Sequence, residues 1–185
     1  MLKIKETFIL SAGELKHTKT IATAALLIAV NITLDVLNIR VQISPDVRIG
    51  FGFLCNAAIG MLFGPAVAML AGAATDVMGY LVNTGGGAYF PGYTLTAIVA
   101  GVFWGFWLYK KPVKLWRTAA AKACINIFCN IGLNTIWTAI LLGNSIMVIL
   151  PVRIAKNLIL LPFEVVLLFT ILSFVQKING KIKIS

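Results

Sequence analysis

From residue 20 onward the chain is a succession of apolar runs, each ended by a joint of only a few polar or charged residues. Six runs stand out, at about 20–36, 48–63, 65–82, 93–109, 119–142 and 149–175. A hydrocarbon layer of about 30 Å and a helical rise of about 1.5 Å per residue call for roughly 20 residues per crossing. Backbone in lipid must also satisfy its own hydrogen bonds, which favours helices. The 185 residues are therefore expected to form an all-α membrane protein, six transmembrane helices in one bundle, with no room for a separate soluble catalytic domain. Only 12% of the residues are charged and 59% are hydrophobic, whereas a soluble domain carries about a quarter charged residues.

The formal net charge of +10 could suggest a nucleic-acid partner, but the basic residues sit in the joints between runs, so they read as a topology signal. Lys3, Lys5, Lys16 and Lys19, then Lys110, Lys111, Lys114 and Arg117, then Lys177, Lys181 and Lys183 flank one side. Arg40, Arg48, Arg153 and Lys156 lie toward the other. The positive-inside rule then places both termini in the cytoplasm. The expected organisation is a basic cytoplasmic or interfacial leader at 1–19, a membrane domain at 20–177 and a basic cytoplasmic tail at 178–185. The apolar patch of the leader is too short and too interrupted by charge for a signal sequence. Cys55, Cys124 and Cys129 are odd in number and lie in apolar runs without metal-ligand spacing, so they read as packing residues.

Against this apolar background the polar residues are informative. The stretch 83–93, NTGGGAYFPGY, is a long uncharged turn. Gly85, Gly86 and Gly87 give it conformational freedom, Tyr89 and Phe90 supply rings, and Pro91 suits the first turn of the next helix; it reads as the lid of a binding site. Asp76 lies within an apolar run, where a carboxylate is costly unless it faces water or a partner. It is either a ligand contact or one half of an ion pair with Arg48 or Arg153. Lys122, Asn126, Asn130 and Asn134 recur every four residues, with Trp137 three beyond. That stripe cannot face lipid, and it serves either as glue between helices or as a lining for substrate. Lys122 and Glu164 both fall on inward faces by periodicity.

Residues 37–47 read as an extended outer loop or short hairpin, and the Gly64-Pro65 turn makes the runs on either side an antiparallel pair. Ala25 and Ala29, four apart, form a small-residue strip for close helix approach, inside the bundle or against another subunit. The outer cluster of Arg40, Arg48, Arg153, Asp76, the asparagines and the aromatics suits a flat ligand rich in hydrogen-bonding groups and anionic at one end. No metalloprotease, serine-hydrolase or phosphate-loop pattern is present, so catalysis is not expected and any energy input must come from a partner.

Together, Ala25-x-x-x-Ala29, FGP at 63–65, Asp76, GGAYFPGYTLTA at 86–97 and Arg153 resemble the substrate-binding S components of energy-coupling factor (ECF) transporters, and the YFPGYTL stretch is most similar to the folate-specific subfamily. The resemblance spans about 20–177. It implies a vitamin-binding subunit of the bacterial plasma membrane that captures folate from outside. It also implies association with a transmembrane coupling subunit and two ATP-binding cassette ATPases, with Ala25 and Ala29 docking on the coupling subunit and the loops after the first and third spans gating the site. No cofactor or metal is expected in the chain itself; folate is the ligand. On that reading Asp76, Asn130 and Asn134 bond the pterin edge, Tyr89, Phe90 and Trp137 pack on the rings, and Arg153, Arg48 and Arg40 hold carboxylates. The alternatives are an S component for another vitamin such as riboflavin, or a stand-alone secondary transporter using Lys122 and Glu164; a lipid-acting enzyme lacks a suitable residue cluster.

Overall fold

The computed structural model describes residues 4–37, 39–44, 47–82, 89–143 and 145–182. The elements are α1 (Ile4–Glu14), α2 (Thr18–Val36), β1 (Arg40–Ser44), β2 (Val47–Gly50), α3 (Gly52–Val82), α4 (Pro91–Leu108), α5 (Leu115–Ile125), a π-helical segment (Asn126–Leu133), α6 (Asn134–Leu142) and α7 (Ile146–Ile182). Five continuous helical stretches are long and apolar enough to cross a membrane: Thr18–Val36, Gly52–Val82, Pro91–Leu108, Leu115–Leu141 and Ile146–Gly180.

The 31-residue α3 is two helices joined at Gly64, whose φ of +84° and ψ of −173° suit only a residue without a side chain. Residues 52, 53 and 56 of the first arm line the same cavity as residues 72, 75, 76 and 79 of the second, so the chain doubles back as the Gly64-Pro65 turn leads one to expect. α4 lies against this hairpin. A Cβ on Gly105 would stand 2.3 Å from the Cα of Pro65, so the two backbones touch where a larger residue would not fit. Ile59, Phe63, Trp104, Leu108, Leu168 and Leu172 fill the adjoining core.

Two boundaries differ from the sequence reading. The expected run at 48–63 begins as a helix only at Gly52, because residues 47–50 pair with 40–44 as an antiparallel hairpin, Arg40 opposite Gly50 and Val41 opposite Ile49. Arg40 and Arg48 thus belong to strands. At the other end of the chain, α7 continues to Ile182, past the expected start of the tail.

The leader is not a detached arm. α1 packs on α3 through Ser11, which is fully buried. Its hydroxyl donates to the Phe63 carbonyl at 2.6 Å and accepts the Ala66 and Val67 N–H groups at 2.9 and 3.3 Å. The second arm of α3 opens on a proline and has unpaired amides in its first turn, so a side chain from another helix caps it. Nearby, the Tyr109 hydroxyl donates to the Glu14 carboxylate at 3.2 Å. Burial, and then the Glu14 charge, push the phenol well above its usual range. The Gly64 turn, α1, residues 109–114 and the last turns of α7 therefore gather at one end, called here the turn end. The β hairpin and the start of α4 mark the other, the hairpin end.

Candidate ligand-binding site

Three adjoining cavities occupy the hairpin end. The largest, about 700 Å³, is lined by Asn31, Asp35, Phe53, Asn56, Asp76, Tyr80 and Lys156, among others. A second, about 530 Å³, lies along α7 and includes Asn130, Asn134, Arg153, Lys156, Asn157 and Glu164. A third, about 270 Å³, lies deeper and is lined in part by Asn56, Asp76, Tyr93, Thr96, Lys122, Asn130 and Asn134. Asn56 and Asp76 are common to the first and third, Asn130 and Asn134 to the second and third, and Lys156 to the first and second. Through these shared residues they make up one polar region, and the two larger cavities each fall within the roughly 300–1,000 Å³ usual for small-molecule pockets.

Each wall follows from its helix. Thr94, on the first turn of α4, donates its hydroxyl to Asp76 Oδ2 at 2.6 Å and lies 2.5 Å from the Tyr89 hydroxyl. Asp76 is thus steadied by a neutral hydroxyl while it lines two of the cavities. Pro91 is the first residue of α4, as the sequence predicts, and Phe90 takes the N-cap position. The Phe90 ring stands 5.8 Å from the rings of both Tyr93 and Trp137, and the Trp137 indole N–H donates to Thr96 Oγ1 at 3.0 Å. Tyr89 packs on Tyr80 at 5.3 Å and is 41% exposed, so it lies at the rim. Gly85, Gly86 and Gly87, the expected gating loop, lie outside the described residues.

Asn126 and Asn130 of the stripe sit on the π-helical segment 126–133 and Asn134 opens α6, where the expectation was an unbroken α-helix. Wide π turns occur frequently at functional sites because they displace backbone groups from the regular ladder. Here Arg153 Nη1 donates to the Asn130 carbonyl at 3.3 Å and its Nη2 to Thr138 Oγ1 at 2.6 Å. Asn130 Nδ2 donates to Asn126 Oδ1 at 2.9 Å and to Asn157 Oδ1 at 3.3 Å. Asn126 and Asn130 therefore act partly as glue, whereas Asn134 Oδ1 is buried without a protein partner and borders two of the cavities. The Asp76–Arg153 ion pair left open by the sequence does not form; each residue has other partners. Lys122 Nζ, on the wall of the third cavity, lies 3.2 Å from Glu164 Oε2, on the wall of the second, and 4.1 Å from the centre of the Phe53 ring, so the two side chains form an ion pair between them.

The sequence reading missed Asn31 and Asn56, which hydrogen-bond each other at 3.2 Å across α2 and α3. Both are asparagines inside apolar runs, the same signal that marked Asp76. Thr94, Thr96 and Thr138 were not legible, since threonine is equally common on lipid-facing and buried helix faces.

A comparison with protein families matches residues 19–172 to the ECF transporter, substrate-specific component. The chain belongs to this family. Among its relatives, "Folate transporter FolT" of Clostridium novyi (strain NT) is 38% identical over 136 residues, covering 74% of this chain and 78% of the relative. "Folate transporter FolT" of Leuconostoc mesenteroides subsp. mesenteroides is 28% identical over 155 residues, covering 80% and 81%. A solved structure described as "Crystal structure of FolT bound with folic acid" superposes with a TM-score of 0.74 at 32% identity, covering 83% of this chain and 92% of that one. The family members are substrate-binding components of a transporter, so the chain is a membrane protein rather than an enzyme. Ala25 and Ala29 are exposed on α2, whereas Thr20, Ala24 and Asn31 face inward, which separates the alanine strip from packing within this bundle.

Proposed function

We propose that this chain captures folate and hands it across the cell membrane as the S component of an ECF transporter. The observation that carries the reading is the make-up of the site: the carboxylate and amides of Asp76, Asn56 and Asn134 and the cations of Arg153 and Lys156 line overlapping cavities, with aromatic rings at the edge. Folate carries the complementary groups. Its pterin offers adjacent donors and acceptors to a carboxylate and amides, and its glutamate offers two carboxylates to cations. Phe90, Trp137 and Tyr89 are assigned to the ring faces, with Arg40 and Arg48 as further carboxylate contacts from the hairpin and Gly85, Gly86 and Gly87 as the gate. The names of the relatives and of the folic-acid-bound structure support the same ligand.

On this reading α3 contributes two spans, giving six in all, and the lysine-rich turn end faces the cytoplasm with both termini. The exposed Ala25 and Ala29 strip docks on the transmembrane coupling subunit, and two ATPase subunits supply the energy. The test is a vitamin panel on the detergent-purified chain. Folate is expected to raise the apparent melting temperature, as any ligand selective for the folded state does, while riboflavin, thiamine and biotin leave it unchanged. A larger rise with riboflavin would overturn the assignment.

A further inference from the structure

A fourth cavity, about 440 Å³, opens at the turn end, far in the fold from the ligand site. Its walls are Glu14 of α1, Met61 and Leu62 of α3, Lys110 and Lys111 of the connection to α5, and Gln176 of α7. The acidic wall is engaged, because the Glu14 carboxylate accepts the Tyr109 hydroxyl. Gln176 is fixed by accepting the Val113 N–H at 3.3 Å. Lys110 is the one non-glycine residue at positive φ among those described, at +51°. Asparagine or glycine would hold that left-handed conformation with less strain, so the chain retains a cation where the backbone favours another residue. Lys111 Nζ is tethered to the Phe106 carbonyl at 2.5 Å. Burial, and then the nearby Arg117 charge, lower its proton affinity, an effect that a bound anion would reverse.

The surroundings select among anions. Beside the cleft, Leu115 and Trp116 are 53% and 58% exposed, and Trp116 packs edge-on against Trp107 at 6.4 Å with Arg117 over its face at 5.2 Å. An exposed indole such as Trp116 at the end of a membrane bundle sits at headgroup depth, where basic residues meet anionic lipid. Met61 and Leu62, both buried in the core, form the apolar floor of the cleft.

We propose that this cleft binds the headgroup of an anionic phospholipid, with Lys110 and Lys111 on the phosphate and the Trp107–Trp116 pair marking the depth of the interface. The proposal is independent of which vitamin fills the other site. The test measures the melting temperature of the full purified chain in neutral detergent with added phosphatidylglycerol, phosphatidylcholine or inorganic phosphate. It compares wild type with Lys110→Asn/Lys111→Gln and with a control, Lys5→Gln/Lys16→Gln, that removes equal charge outside the cleft. Phosphatidylglycerol is expected to raise the wild-type and control temperatures by about 3 °C or more, with half-maximal lipid concentration roughly 10- to 30-fold higher in the cleft variant. Because asparagine relieves the backbone at position 110, the variant without lipid should melt no lower than wild type. Equal shifts with phosphatidylcholine, a shift with inorganic phosphate alone, an unaltered lipid response in the cleft variant, or no response to any lipid would each overturn the proposal, the last pointing to a protein partner at this face.

Discussion

At the turn end, helix backbones touch through glycine, Phe63, Leu168 and Leu172 are completely enclosed, and a buried hydroxyl caps the reversal of α3. At the hairpin end, three overlapping cavities open among the helices, their walls carrying amides, hydroxyls and charges, although α3 and α4 still touch there at Gly72 and Ala97. The difference teaches that rigidity and recognition are segregated along the helix axes. Close packing at one end lets the other tolerate empty volume and uncompensated polar atoms, which would cost several kcal/mol in a uniformly loose bundle. The Lys122–Glu164 pair marks the border, polar like the cavity yet buried like the core.

The sharpest way to break this division is at the border. Lys122→Met leaves Glu164 buried without its counter-ion and is expected to destabilise the protein by about 3–5 kcal/mol. The double change with Glu164→Leu should recover most of that loss, as read by unfolding in mixed micelles. Next, Gly105→Val drives a side chain into Pro65 and should cost about 3 kcal/mol, lowering folded yield and melting temperature even with saturating folate. Substitutions in the hairpin end should do the converse. Arg153→Ala is expected to weaken folate binding by about 2 kcal/mol and Asp76→Asn by about 1 kcal/mol in calorimetric titrations, with small changes in the melting temperature of the unliganded chain. The smallest effect on the isolated chain belongs to Ala25→Leu/Ala29→Leu. Folate affinity should be unchanged, while co-purification with a coupling subunit is lost; retained co-purification would remove the alanine strip from the docking surface.

The two ends also differed in how much the sequence disclosed. The packed end was legible because its constraints are local: Gly64-Pro65 forces a reversal, and long apolar runs set the helices. The capping by Ser11 escaped notice, since a serine in an interrupted, charged leader carries no mark of a partner 52 residues away. At the open end, Asp76, Asn134, Trp137 and Arg153 stood out because polar groups in lipid-spanning runs demand a reason, and in the structure all four line or border the cavities or pack at their rim. Asn31 and Asn56 obeyed the same logic and were passed over. The π-helical turns were not readable, because a register change of one residue leaves the four-residue spacing of the asparagines intact on the page.

Ser11 has one more consequence, for biogenesis. The hydroxyl is translated 52 residues before the carbonyl it binds. At roughly 5–20 residues per second the ribosome needs about 3–10 s to cover that distance. For at least that interval the Ser11 hydroxyl has none of its native partners, so the clasp at Gly64 closes only after residues 63–67 have been made.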